Sequence, residues 1–256
     1  MIIYALKTNM VKTGDNIVDV VLEAIKNANL ALEDNDIIAL ASKIIAHAEG
    51  RIVRLDNVKP SKEAEKLAKK YSLQPELAEL ILHEADKIYG GVEKAILTLK
   101  NGVLAANAGI DNKNAPAGHA ILWPKDPKKS AKEIRDEIEN RTSKKVGVLI
   151  VDSSLIPLRI GTVGLALAIT GFKPIKDHRG KKDIFGRQIV ITRHAIADDL
   201  ACVAHFLMGE ASERIPIVLI RGAQVEFDEG VYGGADMMMP IKECIFMKTF
   251  LCGFHE

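Results

Sequence analysis

Cysteine is scarce in this chain of 256 residues, and no spacing gives it a structural role. Cys202, Cys244 and Cys252 are too few and too scattered for a disulfide framework, and no Cys-x-x-Cys pair indicates zinc. No apolar run approaches the ~18 residues of a membrane helix. The apolar segment at residues 1–7 lacks the long core of a secretory signal. We therefore expect a cytoplasmic protein without a membrane partner.

A strong net charge is also missing, since 35 Lys and Arg stand against 34 Asp and Glu for a net +1. No global field therefore favours nucleic acid or an anionic membrane. Aromatic residues make up 5%, too few to interleave with cations along a nucleic-acid groove. Neither Gly-x-x-x-x-Gly-Lys-Ser/Thr nor Gly-x-Gly-x-x-Gly occurs, so a nucleotide must be held by another device. The hydrophobic and charged fractions, 48% and 27%, are ordinary for a globular enzyme.

Periodicity and turn signals predict a mixed order of helices and strands. Strands are predicted at residues 2–6, 36–45, 95–99, 103–105, 145–151 and 215–220. Helices are predicted from Ile17 behind an Asp15 cap, from Pro60 to Tyr71, from Pro75 to Gly90, from a Ser130–Glu133 capping box to Asn140, and at 195–208 and 241–251. Residues 161–170 fit either state. Hairpins without strict β-α-β alternation favour an α+β fold, in one intertwined unit over residues 1–256.

Three acids each follow an apolar run. Asp111 ends Asn-Ala-Gly-Ile-Asp, Asp152 follows residues 146–151, and Glu210 follows Met-Gly. A carboxylate just beyond a buried element is rigidly held yet reachable by water. Three converging carboxylates would bind hard divalent cations and leave room for phosphate oxygens. Each acid alone could also merely be a cap or turn residue.

The strongest local charge lies in residues 171–187, which we call the cationic segment. It holds six Lys or Arg against two Asp, a local +4 in a chain of net +1. Such a segment suits a polyanion such as a nucleotide triphosphate or a phosphorylated acceptor. A solvated charged loop is the alternative.

Several blocks of sequence occur together in an order and spacing typical of one known family. They are Ser42-Lys43, Ala48-Glu49-Gly50-Arg51, Asn107-Ala108-Gly109-Ile110-Asp111 with Asn114, Asp152-Ser153, Lys176-Asp177, Gly180-Lys181-Lys182-Asp183, Gly186-Arg187 and Met208-Gly209-Glu210. Over about residues 2–222 the chain resembles the coenzyme F420-0:γ-glutamyl ligase family.

The resemblance implies an interwoven α+β homodimer that uses GTP and divalent metal, Mg²⁺ or Mn²⁺, at two sites. The nucleotide's terminal phosphate would activate a carboxylate of the acceptor, F420-0, and the amine of L-glutamate would displace that phosphate. Carried over by position, the metal ligands would be Asp111, Asp152, Ser153 and Glu210, the three acids being the catalytic set. Nucleotide contacts would come from Ser42, Lys43, Asn114 and Gly209.

The chain also departs from the family pattern. Ser153 stands where Thr is usual, His47 where Lys is common, and residues 154–159 replace an Asn-Gly-Arg-type sequence. These departures leave two alternatives open: a folate or pterin-type acceptor, or a non-catalytic nucleotide-binding relative. Residues 225–239, with three methionines, carry no clear chemical signature and could cover the acceptor or pack on a partner subunit.

Overall fold

The computed structural model describes the backbone of residues 1–252 and the side chains of residues 1–250. Its strands are β1 (Ile2–Leu6), β2 (Ile37–Ala41), β3 (Ile52–Arg54), β4 (Lys87–Val92), β5 (Ala95–Lys100), β6 (Val103–Ala106), β7 (His119–Ile121), β8 (Gly147–Leu155), β9 (Thr162–Phe172), β10 (Lys176–Asp177), β11 (Arg193–His194), β12 (Ile217–Arg221) and β13 (Phe227–Gly233). Its helices are α1 (Ile17–Asn27), α2 (Ser42–Ala48), α3 (Lys62–Tyr71), α4 (Pro75–Glu84), α5 (Pro127–Thr142), α6 (Ile196–Met208), α7 (Gly234–Met237) and α8 (Ile245–Cys252).

The largest sheet has six strands in the order β1-β12-β2-β8-β9-β13. Only β2 and β8 are parallel; the other neighbours are antiparallel. Because Ala41 pairs with Val151 in the parallel ladder, Ser42, which begins α2, lies beside Asp152, which continues within β8. This pairing brings together two segments more than 100 residues apart and sets the position of the site.

Both faces of the six-stranded sheet are covered by helices. Along β2, Ile38 and Leu40 pack towards α1 and α5, whereas Ile37 and Ala39 pack towards α6. Burial on both faces explains why this strand is continuously apolar and does not alternate. Each fully buried aliphatic side chain contributes about 1.5–3 kcal/mol relative to exposure, so these two layers hold the scaffold rigid.

A second layer of structure stands beside this sheet. It consists of the antiparallel sheet β4-β5-β6, packed with α3 and α4 around a separate core that contains Tyr71, Ile81 and Ile96. Two short antiparallel pairs, β3-β7 and β10-β11, complete the strands. Within the described residues no helix is long and apolar enough to cross a membrane.

The predicted mixed α+β class is confirmed, and several elements lie where the sequence predicts. The Asn101-Gly102 hairpin joins β5 to β6, and the helix at 195–208 corresponds to α6. Residues 161–170, which fitted two states, belong to the long strand β9.

Two predicted elements were too long, for different reasons. The apolar run 36–45 is a strand only to Ala41 and turns into α2 at Ser42, because an all-apolar stretch shows no period that separates a buried strand from a buried helix. The helix from Pro75 ends at Glu84, not at Gly90. The residues beyond it form β4, because pairing with β5 outweighs the local helical spacing.

Two predicted helix caps were wrong. Asn16 rather than Asp15 caps α1, accepting hydrogen bonds from the amides of Val18 and Asp19. Helix α5 begins at Pro127 behind Asp126, whose carboxylate accepts from the Lys129 amide at 3.0 Å.

Ser130 makes a tertiary contact instead of capping α5: its hydroxyl donates to Glu49 at 2.6 Å. The Asp-Pro pair is itself a recognised helix start, so the correct signal was present in the sequence.

Candidate active site

Lys43 lies at the centre of the predicted site. It is the second residue of α2, and its ammonium donates to Asp111 Oδ2 at 2.7 Å and to the carbonyl of Lys113 at 3.3 Å. The same charge also opposes the burial-driven rise in the pKa of Asp152. Lys43 therefore pairs with one predicted acid and lies near enough to a second to influence it.

Asp111 is held by an unusual turn. Asn107, Ala108 and Gly109 all have positive φ, at 52°, 55° and 71°. The turn is tied to β5, because the Asn107 side chain accepts from the Ile96 amide at 2.9 Å. A Cβ on Gly109 would lie 2.0 Å from the Trp123 ring, so glycine is needed for this close approach.

Trp123 is a site residue that the sequence analysis missed. Its side chain is 4% exposed, and its indole N–H donates a hydrogen bond to Asp152 Oδ2. The only available signal was that this single tryptophan of the chain follows an apolar strand, which is more typical of a core residue. This hydrogen bond orients the Asp152 carboxylate.

Asp152 carries a perturbed carboxyl group. Burial raises its pKa, while hydrogen bonds from Trp123, the Ser153 amide and Ser42, together with the charge of Lys43, oppose the rise. Ser42 is itself buried at the start of α2, as the parallel pairing of β2 and β8 requires. A carboxylate whose burial is only partly offset by hydrogen bonds and nearby positive charge is typical of a functional site.

Glu210 follows Gly209, which ends α6 with a φ of 72°. Its Oε1 accepts from the Thr162 hydroxyl at 2.6 Å and lies 2.9 Å from His205 Nε2. Burial acts to raise the pKa of Glu210, but these contacts and the charge of Lys113 outweigh it and hold the pKa below its usual value. Glu210 is therefore kept as a carboxylate.

The loop after Asp111 connects the two halves of the site. The Asn114 amide donates to the Ala211 carbonyl at 3.2 Å, and the Lys113 amide donates to Asp111 Oδ1 at 2.8 Å. The backbone of Asn114 also lies beside His47. His47 is one helical turn after Lys43, so Lys43 and His47 lie on the same face of α2. Burial and the charge of Lys43 lower the pKa of His47, against a hydrogen bond with the Asn114 backbone. The structure thus places His47, which the sequence analysis did not assign, beside the predicted nucleotide contacts.

We call Asp111, Asp152 and Glu210, with Lys43 and Lys113, the acid site. Its oxygen donors suit Mg²⁺ or Mn²⁺, and a cation would offset the burial of the Asp152 carboxylate. Within residues 1–250, however, no three His, Cys, Asp or Glu side chains are grouped so as to hold a metal. The four metal ligands, Asp111, Asp152, Ser153 and Glu210, stay predictions.

Ser153 is exposed, and strand alternation directs it to the face opposite Asp152. The role of Ser153 as a metal ligand and the number of cations stay predictions.

Behind the acid site lies a half-buried charge network. Glu84 accepts from Arg51 at 2.8 and 2.9 Å and from Lys100. Arg51 also donates to the Trp123 carbonyl at 3.0 Å, and the Lys100 ammonium lies 5.4 Å from the centre of the Trp123 ring. Burial acts to raise the pKa of Glu84, but the two cations outweigh it and lower the pKa. The network fixes the tryptophan that orients Asp152.

The cationic segment is built differently, from ion pairs that are exposed to solvent. Arg179 pairs with Asp177, and hydrogen bonds from Arg179 hold the pKa of Asp177 well below its usual range. Lys173 pairs with Glu226. Two of the six cations are therefore neutralised locally, and Lys181 and Lys182 are exposed.

Comparison with known proteins identifies the family of this chain, which the geometry alone does not. The profile of the family described as F420-0:Gamma-glutamyl ligase matches residues 5–222. The Coenzyme F420:L-glutamate ligase of Methanocaldococcus jannaschii is 44% identical over 220 residues, covering 86% of this chain and 87% of that protein. Proteins of the same name from Methanococcus maripaludis strain C6 and Methanopyrus kandleri are 41% and 36% identical, each match covering at least 84% of this chain and 85% of the relative.

With the fold and the acid site, these matches define an enzyme of the ligase class, which forms carbon–nitrogen bonds. More specifically, the chain belongs to the F420-0:γ-glutamyl ligase family.

Proposed function

We propose that this chain is a GTP-dependent and divalent-metal-dependent ligase that adds L-glutamate in γ-linkage to coenzyme F420-0. The observation that carries the proposal is the ion pair of Lys43 with Asp111, close enough for the lysine charge to act on Asp152, with the loop at Asn114 bonded to the segment that bears Glu210. Family membership supplies the reaction class and the acceptor named in the relatives.

The chemistry follows from a simple obstacle: a carboxylate and an amine do not condense in neutral water. In the first step an oxygen of the acceptor carboxylate attacks the terminal phosphorus of GTP, the phosphoanhydride P–O bond breaks, and GDP leaves. In the second step the nitrogen of L-glutamate attacks the carbonyl carbon of the acyl phosphate. The C–N bond forms, the C–O bond breaks, and inorganic phosphate and a proton leave.

The residues of the acid site match the needs of the first step, which brings two anions together. When bound, Mg²⁺ or Mn²⁺ would neutralise phosphate charge, and Asp111, Asp152, Ser153 and Glu210 are the residues that would hold it. Lys43 adds a fixed positive charge beside Asp111. Ser42, Lys43, Asn114 and Gly209 remain the proposed nucleotide contacts, with His47 placed beside them.

We also propose that the protein is an interwoven homodimer and that residues 1–256 form one unit. Two loops project large apolar side chains into solvent, Leu158 and Ile160 in one and Ile184, Phe185 and Ile191 in the other. Exposed apolar patches of this kind mark protein interfaces. A partner subunit would cover them, and the free thiols Cys202 and Cys244 fit a reducing cytoplasm.

Sedimentation velocity tests the dimer. We expect a dimer for the unaltered chain and a monomer for Ile160→Asp, whereas Met10→Asp, at an exposed position remote from both loops in sequence, should stay dimeric. If the unaltered chain sediments as a monomer, the proposed homodimer is wrong.

The activity is tested by incubating the purified chain with GTP, Mn²⁺, L-glutamate and F420-0, then following GDP release and product mass. We expect the acceptor to gain the mass of glutamyl residues, with GDP released in proportion to the bonds formed. A parallel reaction with a folate-type acceptor decides between the two acceptors. GTP binding without GDP release or ligation would instead identify the non-catalytic alternative.

A further inference from the structure

A cavity that the proposed reaction has not used lies between the β4-β5-β6 sheet and the end of the six-stranded sheet. Its volume is ≈ 290 Å³, near the lower end of small-ligand pockets. Four methionines line it together with apolar residues of β5, β6, β8 and β9. The methionines are Met237, Met238, Met239 and Met247.

The cavity exists because one strand pairing stops early. Strand β13 follows β9 only as far as the Gly233–Ala168 pair, and the chain then leaves the sheet as α7. Beyond that point α6 covers the free edge of β9: Asp198 accepts from the Ala166 amide at 3.1 Å, and the Cys202 thiol donates to the Gly164 carbonyl at 3.2 Å. The backbone hydrogen-bonding groups of this edge therefore have partners, but the space beside the edge is not filled.

The lining selects one kind of ligand. No Lys, Arg or His is among the described residues that border the cavity, so it does not suit a triphosphate or free glutamate. Methionine is flexible and polarisable and makes favourable contacts with aromatic rings. Tyr89 also borders the space, and its hydroxyl is shielded from solvent without a hydrogen-bond partner among the described residues. A buried hydroxyl without a partner is costly, and a ligand atom would satisfy it.

The cavity adjoins the acid site and not the proposed nucleotide contacts. Leu165, which lines it, pairs directly with Asp152, and Ser154 lies two residues beyond Asp152 on β8, roughly 7 Å along the strand. None of Ser42, Lys43, Asn114 and Gly209 borders it. A molecule seated here could extend a side chain towards the acids while GTP occupies the other side.

We propose that this methionine cavity binds the fused heteroaromatic ring of the acceptor, with the Tyr89 hydroxyl bonded to a polar atom on the edge of the ring. The inference rests on the proposed function, because it assumes an acceptor that carries both such a ring and the reacting carboxylate. It gives a role to the end of the 225–239 stretch, because Gly234 and the three methionines at 237–239 line the ring site.

The test measures binding, separately from turnover, by calorimetry on the full chain with F420-0 and no glutamate. Leu104→Trp fills the cavity from β6 and should weaken F420-0 binding about tenfold or more. Tyr89→Phe removes only the hydroxyl and should weaken binding about three- to tenfold. In both variants GTP affinity should stay unchanged. Met10→Trp and Tyr4→Phe are the matched controls, outside the cavity lining.

Each outcome decides the inference. Circular dichroism reports whether Leu104→Trp is folded; if it is not, Tyr89→Phe alone decides. Unchanged F420-0 binding in a folded Leu104→Trp chain overturns the ring site. The same conclusion follows if this variant weakens the binding of GTP and not that of F420-0. A folate that binds in place of F420-0 and is excluded by Leu104→Trp supports the ring site while changing the acceptor.

Failure of the proposed function is read separately, from ligation by the unaltered chain. If the unaltered chain ligates normally and the variants bind F420-0 with the same affinity as the unaltered chain, the proposed function is retained and only the ring site is rejected.

Discussion

The acid site and the cationic segment are both polar and both candidates for binding phosphate, but they are held in opposite ways. In the acid site, Lys43 contacts Asp111 across 68 residues of sequence and Trp123 contacts Asp152 across 29. In the cationic segment the pairs are exposed: Arg179 contacts Asp177 two residues away, and Lys173 contacts Glu226. Contacts to buried groups fix the geometry before substrate arrives, whereas exposed pairs can rearrange around it.

The difference indicates how the two regions divide the work. Preorganised groups stabilise charge that develops during the reaction and so act on kcat. Exposed cations gather anions by a screened attraction and so act on KM. The following changes test that division.

The largest effect is expected from Asp152→Asn, which removes the charge but leaves an oxygen to accept from Trp123. We expect kcat to fall by about 10²–10³-fold, as for the loss of one preorganised electrostatic group. Thermal stability should be unchanged or slightly higher, because burial already disfavours the ionised form of Asp152. Asp136→Asn, at a surface pair on α5, is the control. Equal turnover in the two variants would place the chemistry elsewhere.

Glu84→Gln tests the support behind the acid site. It leaves Arg51 and Lys100 half-buried without their counter-charge, so we expect a loss of about 3 kcal/mol in unfolding free energy. Because the folded state lowers the pKa of Glu84, its contribution is present above the unfolded pKa and is lost as pH falls through the folded value.

Urea unfolding at neutral and acidic pH measures the effect of Glu84→Gln. The difference between the variant and the unaltered chain should shrink at acidic pH. Glu133→Gln, in an exposed pair on α5, should change little at either pH. A loss independent of pH would mean that packing, not charge, is responsible.

Trp123→Phe separates orientation from packing, since phenylalanine keeps a ring near Lys100 but donates no hydrogen bond. We expect about tenfold weaker Mn²⁺ binding by calorimetry and a lower kcat, as when a supporting hydrogen bond to a metal ligand is removed. Tyr71→Phe, in the separate core with α3 and α4, is the control. Unchanged Mn²⁺ affinity would show that Asp152 needs no such support.

The smallest effect is expected in the cationic segment. Replacing Lys181 and Lys182 together by Ala should raise the KM for GTP or the acceptor about two- to fivefold, with kcat unchanged. The increase should diminish as salt is added, because exposed charges are screened. Lys69 and Lys70, an adjacent exposed pair on α3, provide the matched double variant. A fall in kcat that persists in salt would make this segment part of the preorganised site.

Much of the fold could be predicted because local signals agreed with tertiary demands. Asn-Gly specified the hairpin from β5 to β6, and helical spacing found α6. Prediction failed where two environments resemble each other: the apolar run at 36–45 supplies both a buried strand and the start of a buried helix. It also failed where strand pairing overrode local spacing, at β4.

The candidate site shows the same limit. Sequence pattern singled out the three acids, and the resemblance added Lys43 and Asn114. It gave no sign that the charge of Lys43 would also reach Asp152, because that depends on the pairing of β2 with β8. Trp123 and the methionine cavity were missed, since a tryptophan after an apolar strand and a methionine-rich tail are typical of ordinary packing.

The sequence by itself determined the chemical groups and the family: carboxylates at the ends of apolar runs, a local excess of cations, and ordered blocks shared with known ligases. These depend only on residue identity and spacing. The tertiary structure alone decided which groups meet, since one parallel strand pair sets Ser42 beside Asp152 and one shortened strand pairing leaves a cavity near the acids. Such contacts arise from burying both faces of a sheet at once, a constraint that no local stretch of sequence contains.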